Sequence, residues 1–362
     1  MDFGLSEDQI MLDETLRSFL ADQVSIERIR SLREESCPNH RDIWKELAEL
    51  GATGILVPEE HGGSELSLLD AAVVAWTLGH AVTPSPFLGS SILATVALRD
   101  LSHKAIPGWL GGIASGETVF GVAATELFSK REEAGIRIEG GTLHGKAMMA
   151  LDACNADFIL VGVDPQTLAV VRRDADGVEV ERLRTTDATR CTSEIILKDT
   201  APEAVFENVG PTVQRMLEAG RITLAAETLG ACEAMIEQAV AYAKERKQFN
   251  RVIGSFQAVK HMCSEMIADL EPARSLLWYA AHSFNAIPDE TPLMSCHALA
   301  HASEIGREIA SVATQVHGGI GWTDDQNLHF WFKRIGVARH LLGGPEFLRD
   351  RAAELQGLAK AS

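Results

Sequence analysis

Apolar residues recur at intervals of three and four through the first third of the chain. Ile10, Leu12, Leu16, Phe19 and Leu20 fall at helical spacing, with Ser6 and Glu7 as start signals. Ile43 to Leu50 reads as another helix, stopped by Gly51, and the Pro and paired glycines of Val57-Pro-Glu-Glu-His-Gly-Gly63 read as a loop. Leu66 to Leu78 is apolar on nearly every side, which predicts a mostly buried helix. Prolines 84 and 86 break the chain before a further helix.

The period then changes. Val119–Ala124, Ile136–Ile138, Asp157–Val163, Leu168–Arg172, Val178–Val180 and Glu194–Leu197 are short β-branched runs separated by Gly, Asp and Asn clusters. That texture predicts an antiparallel sheet or barrel. After Gly210 the helical period returns. Ile222, Ala226, Leu229, Ile236 and Val240, then Met262, Met266, Leu270, Ala273 and Leu277, mark two long amphipathic helices. Further helices are expected over Leu293–Val316 and Asn327–Leu342, so four helices share one core. The expected fold is mainly α with a central β domain: a helical domain over 1–115, an antiparallel β domain over 116–210 and a C-terminal four-helix bundle over 211–362.

Composition narrows the function. A chain of 362 residues, 46% hydrophobic and 23% charged, is long enough for two or three globular domains. Its net charge of −18 argues against nucleic-acid and anionic-membrane partners, which need basic patches. The N-terminus is acidic and lacks the apolar core of a signal peptide, and the longest apolar run, Ala71 to Trp76, is far shorter than a membrane span. Six cysteines without CxxC spacing read as reduced core residues, and the expected location is the cytoplasm. His297 and His301 have the i, i+4 spacing of metal ligands, but no Glu stands three residues before any His, and they read as a structural pair rather than a metal site. No GxGxxG, Walker loop or GxSxG elbow is present, so nicotinamide, ATP and serine-hydrolase readings lack support.

Two motifs carry the chemistry. Arg246-Lys-Gln-Phe-Asn-Arg-Val-Ile-Gly-Ser-Phe-Gln257 places a guanidinium, able to bind a diphosphate through two donors, at the end of a helix. Gln315-Val-His-Gly-Gly319 offers adjacent glycines whose backbone N–H groups can approach a phosphate closely. Together they resemble the clamps that hold the diphosphate and adenosine of FAD in acyl-CoA dehydrogenases. Val57-Pro-Glu-Glu-His-Gly-Gly63, Ala124-Thr-Glu126 and Thr186-Asp-Ala-Thr-Arg190 fall in the family's order, and the resemblance covers essentially the whole chain. It implies FAD binding by Arg246, Phe249, Gln257, Gln315, Gly318 and Gly319, with Thr125 against the flavin ring. Asn250 stands where the family usually has Gly, and Asn is the next residue to tolerate the left-handed turn.

Other family features are missing. The text after Glu126, Leu-Phe-Ser-Lys-Arg-Glu-Glu-Ala-Gly135, lacks the family's Gly-Ser-Asp loop. Met149-Ala150-Leu151 replaces the flavin-facing Trp-Ile-Thr or Trp-Ile-Ser. The family reaction takes a proton from Cα of a CoA thioester with a Glu base while hydride leaves Cβ for the flavin. Gap-free alignment puts Leu342 at the base position, and Gly220 precedes Arg221 at the second known location. Glu218 and Glu346 are the nearby carboxylates, and each is expected at the surface, with Glu218 pointing away from Gly220.

In this family the FAD lies across a subunit interface, one chain holding the ring and its neighbour the diphosphate and adenosine. The resemblance therefore implies an accessory subunit, similar to the non-base-bearing chain of two-chain bacterial enzymes acting on steroid-CoA esters. Its partners would be a catalytic acyl-CoA dehydrogenase-like subunit, an acyl-CoA thioester and an electron-transferring flavoprotein. The alternatives are a self-sufficient homotetramer with a non-standard base and a flavin-free CoA-ester-binding scaffold.

Overall fold

The computed structural model describes residues 4–33, 41–129 and 131–358. Six helices come first: α1 (Glu7–Gln23), α2 (Ile26–Arg33), α3 (Arg41–Glu49), α4 (Leu68–His80), α5 (Thr95–Arg99) and α6 (Ile106–Ala114). The expected start of α1 is a capping box, in which the Ser6 hydroxyl accepts from Gln9 N at 3.2 Å while the Gln9 amide oxygen accepts from Ser6 N at 3.0 Å. Between α4 and α5 the fully buried stretch Phe87–Ala94 winds as a wide π-helical segment.

Eight strands follow: β1 (Phe120–Ala123), β2 (Gly135–Glu139), β3 (Thr142–Leu151), β4 (Phe158–Asp164), β5 (Thr167–Arg172), β6 (Val178–Arg182), β7 (Thr192–Thr200) and β8 (Ala204–Glu207). They form one sheet in the order β6-β7-β3-β1-β4-β5-β8, with β2 also on β3. The pairing is antiparallel except for β1 beside β4, which run parallel, a departure from the expected all-antiparallel sheet. β3 carries a register shift between Ala147 and Ala150, and Met149 within it has φ +53°. Such a bulge bends the strand and re-aims its side chains.

Three long helices come next: α7 (Gly210–Glu245), α8 (Gln257–Ala286) and α9 (Thr291–His317). A two-residue hairpin, β9 (Lys247–Gln248) and β10 (Arg251–Val252), links α7 to α8. The single helix expected over 327–342 is instead α10 (His329–Ala338), followed after a break by α11 (Pro345–Leu355). The reason is local. Leu342 (φ +55°) and Gly343 (φ +98°) turn the backbone left-handed, and Pro345 starts a new helix at a position where its missing N–H costs nothing.

The axis of the molecule is α7, whose residues from Met216 to Cys232 are all buried. Its crossing with α4 brings backbones into contact. A Cβ on Gly230 would lie 2.0 Å from the Trp76 carbonyl oxygen, and one on Gly79 would lie 2.0 Å from that of Glu227. The sheet is tied to this axis by a buried ionic cluster. Arg190 Nη2 donates to Glu227 at 2.5 Å, and Arg334 on α10 pairs with Glu227 and, at 2.9 Å, with Asp187. Burial pushes the Glu227 carboxyl up, but Arg190 and Arg334 outweigh it and hold the group below the usual carboxylate range. Thr186-Asp-Ala-Thr-Arg190 is thus the segment that locks sheet to helices. Among the described cysteines, Cys191, Cys232, Cys263 and Cys296 are free, whereas Cys154 is disulfide-bonded, which corrects the expectation of reduced thiols throughout. Cys37 lies outside the described residues.

Candidate functional site

Arg246 is the C-cap of α7, its N–H donating to the Tyr242 carbonyl at 2.9 Å. The chain then folds into the β9–β10 hairpin, with Phe249 (φ +51°) and Asn250 (φ +61°) as its two turn residues. Both central residues left-handed is the geometry of a tight hairpin turn, so Asn250 supports the turn where glycine was expected. At the other wall α9 ends on His317, and Gly318 takes φ +65°, ψ −143°, which residues with a side chain rarely adopt. Nothing lies within 4 Å of a Cβ built on Gly318 or Gly319.

Between these ends is a cavity of about 460 Å³ lined by Arg246, Gln248, Tyr242, His317, Gly318 and Gly319. Two segments distant in sequence therefore meet. Phe249, Gln257 and Gln315 do not line this cavity; all three are exposed, Phe249 at 87%. Arg246 makes no ion pair among the described residues and keeps its donors free. The arrangement fits a diphosphate: one uncommitted guanidinium opposite an open glycine backbone.

His317 is a wall residue that sequence reasoning missed, although it sits inside the Gln315–Gly319 motif. Its Nδ1–H donates to the Ala313 carbonyl at 2.8 Å, and its ring stacks on Tyr242 with centroids 4.7 Å apart. Burial pulls its pKa down, so it holds the corner as a neutral ring.

The ring-side residues tell the opposite story. Thr125 begins a short turn, Thr125–Leu127, whose Glu126 accepts from Met148 N at 2.9 Å and so pins the β3 bulge. Leu93, Thr125, Met149, Leu151, Leu341 and Leu342 then close around a space of only about 10 Å³. That space is too small for a ring system.

The two base locations do converge in space. A Cβ on Gly220 would lie 2.5 Å from Leu93 Cδ2 and 2.9 Å from Leu342 Cδ1, so the two positions face each other across an aliphatic contact. Leu342 is 4% exposed, and its carbonyl accepts from Arg221 Nε at 3.1 Å. No group at either position accepts a proton. Glu346 is exposed, as expected, and faces Arg339 at 3.3 Å. Glu218 corrects the expectation: it is 3% exposed, receives the Gln214 amide at 2.8 Å, and burial pushes its carboxyl up. It was expected at the surface because carboxylates usually lie there, whereas this part of the helix is enclosed on every side. Glu218 does point away from Gly220, into a separate cavity.

These features have counterparts in known proteins. Residues 6–117 match the model of the acyl-CoA dehydrogenase N-terminal domain and residues 210–356 that of the C-terminal domain. The chain is 31% identical over 353 residues to acyl-CoA dehydrogenase IpdE2 of Mycolicibacterium smegmatis, covering 97% of this chain and 100% of that one. The chain belongs to the acyl-CoA dehydrogenase family. Family members are FAD-dependent oxidoreductases acting on CH–CH donors. Among solved structures, the ChsE4-ChsE5 complex of Mycobacterium tuberculosis superposes with a TM-score of 0.91 at 25% identity, covering 100% of both chains. The Tcur3481-Tcur3483 steroid ACAD gives 0.88 at 25% identity, over 98% of this chain and 99% of that one.

Two remaining features lie away from the clamp. His297 and His301 stand on α9, and among the described residues no third ligand joins them. Among the described residues the one grouping of metal-ligating type is His80, Glu233 and Glu237, where Glu233 is already held by Arg17, Arg274 and the Trp76 indole. No helix among the described residues is long and apolar enough to cross a membrane.

Proposed function

We propose that this chain is the accessory subunit of a heteromeric acyl-CoA dehydrogenase, lending the diphosphate- and adenosine-binding half of an FAD site to a catalytic partner chain. One contrast carries the reading: the clamp of Arg246, Gly318 and Gly319 opens on about 460 Å³, while the place for the flavin ring is filled to about 10 Å³. Bound there, FAD would supply hydride acceptance; this chain would supply the Arg246 fork, the open Gly318-Gly319 backbone and the neutral His317–Tyr242 corner. Phe249, Gln257 and Gln315, exposed at the rim, would close on the cofactor across the interface. The Gly220–Leu342–Leu93 contact leaves no proton acceptor at the acyl-CoA, so the base must come from the partner.

Two of the similar structures carry two-component names, ChsE4-ChsE5 and Tcur3481-Tcur3483, and the second is titled a steroid ACAD. This supports a two-chain assembly and a steroid-type CoA ester as substrate; an electron-transferring flavoprotein as acceptor is what the family resemblance implies. Arg246→Ala in the co-purified complex tests it. Losing a bidentate, charge-assisted contact weakens FAD binding by roughly tenfold or more, read as flavin absorbance per complex. Unchanged FAD content would favour a flavin-free scaffold. Buried Glu218 is the one observation favouring a self-sufficient enzyme with a non-standard base, and Glu218→Gln abolishing turnover by the isolated chain would establish it.

A further inference from the structure

A cavity of about 440 Å³, within the range of small-molecule sites, opens between Thr186, the end of the Gly318–Trp322 turn and α10. None of Arg246, Gly318 and Gly319 lines it, so it stands apart from the shared-flavin reading. Its body is aromatic. Trp322 is 77% exposed, and its ring lies 6.3 Å from that of Phe332 at 56°, so the two make the faces of an open corner. Gly336, one turn beyond Phe332, also lines the space, and a Cβ built on it meets nothing within 4 Å. A glycine inside a helix weakens it. Here no close neighbour demands one, and its effect is to leave the cavity open.

The polar lining is a chain of side chains. Lys333 Nζ lies 3.3 Å from His329 Nδ1. An ammonium has no lone pair, so Nδ1 accepts, and the ring proton sits on Nε2, 2.8 Å from Asp324 Oδ1. The Asp324 carboxylate is matched by Arg30 at 2.9 Å. Among the described residues Lys333 forms no ion pair with a carboxylate, so it keeps two N–H donors and one positive charge is left over. Asp325, next in sequence, is exposed and does not line the cavity. The hydroxyls of Thr314 and Thr323 already donate to backbone carbonyls, whereas that of Thr186 makes no hydrogen bond among the described residues.

We propose that this cavity binds a flat aromatic ring bearing one carboxylate, the ring against Trp322 and Phe332 and the carboxylate on Lys333 and Thr186. A single left-over charge matches a monoanion rather than a diphosphate, and an ammonium with a hydroxyl beside it supplies the donors that two carboxylate oxygens accept. The aromatic corner favours a ring, because stacking adds to the burial of apolar surface that any hydrocarbon would gain.

Calorimetric titration of the full chain with naphthoate, naphthylmethanol, the saturated decahydronaphthoate and ADP tests it. Naphthoate is expected to bind roughly tenfold tighter than naphthylmethanol, the worth of one charge-assisted contact, and several-fold tighter than decahydronaphthoate, the worth of stacking. ADP is expected not to displace it. Lys333→Gln is expected to erase the preference over the alcohol, Trp322→Leu the preference over the saturated ring, and Gly336→Leu to block binding by filling the cavity. Trp322 and Gly336 are exposed, so those two variants decide even if Lys333→Gln does not fold. Equal binding of naphthoate and naphthylmethanol would overturn the proposal, as would displacement by ADP or unchanged binding to Gly336→Leu. Binding retained in the co-purified complex supports it, and binding lost there would overturn it by making the cavity a subunit contact. FAD content of the Arg246→Ala complex, measured separately, reports on the clamp alone.

Discussion

Replacing Glu227 by Gln removes the only carboxylate shared by Arg190 and Arg334. Arg334 retains Asp187, but Arg190, 6% exposed, then keeps no direct ion pair among the described residues, only the more distant charges of Asp187 and Asp152. Breaking a buried pair by removing one partner costs about 3–5 kcal/mol, because the remaining charge stays desolvated. An unfolding entropy of ~2.1 cal/mol/K per residue over 362 residues is ~0.76 kcal/mol/K, so Tm should fall by roughly 4–7 °C. Scanning calorimetry of parent and variant at neutral pH reads this directly. The pH dependence has a defined sign. The folded-state pKa of Glu227 is depressed, so its contribution is present above the ordinary carboxylate value and lost as pH falls through the lower folded value. The gap between parent and variant should therefore narrow in acid. A Tm shift below about 1 °C, or a gap that widens in acid, would refute the claim that this cluster locks sheet to helices.

Asp152 predicts the reverse slope. Burial pushes it from the ordinary carboxylate range up to about 7, so the native state holds a proton that the unfolded chain releases, and stability declines as pH rises across that window. Asp152→Asn, which can still accept from Gly89 N–H, should be more stable than the parent at mildly alkaline pH and lose that advantage in acid, as followed by urea midpoints against pH. Leu342→Glu restores the residue type of a base but not a place for the flavin ring. It should give no acyl-CoA-dependent dye reduction by the isolated chain and should lower Tm, since a carboxyl is forced against Leu93; measurable turnover would contradict the filled-site account.

The sequence was most legible where local period and tertiary burial agree. The helical start at Ser6, the long helices from 210 onward and the β-branched strands all follow that rule. β3 was harder to see, because Gly145 and the bulge at Met149 interrupt its alternation. The helix expected to run to Leu342 was overextended because apolar residues continue through Leu341-Leu342 after the backbone has turned left-handed. Glu218 was misplaced for a different reason. In a helix buried on all sides, no polar face exists to predict from. Of the candidate site, the meeting of Arg246 with Gly318-Gly319 was readable from motifs. The close packing around Thr125 was readable only as substitutions, since the space left by Leu93, Met149 and Leu342 depends on packing between segments far apart in sequence.

The central claim is that this chain offers half of an FAD site and cannot complete one alone. The most direct measurement is the flavin absorbance of the chain purified by itself, compared with the chain co-purified with a dehydrogenase-like partner bearing the Glu base. The account predicts a colourless, inactive protein alone and FAD only in the two-chain complex. A yellow homo-oligomer with one FAD per protomer that oxidises an acyl-CoA would contradict it.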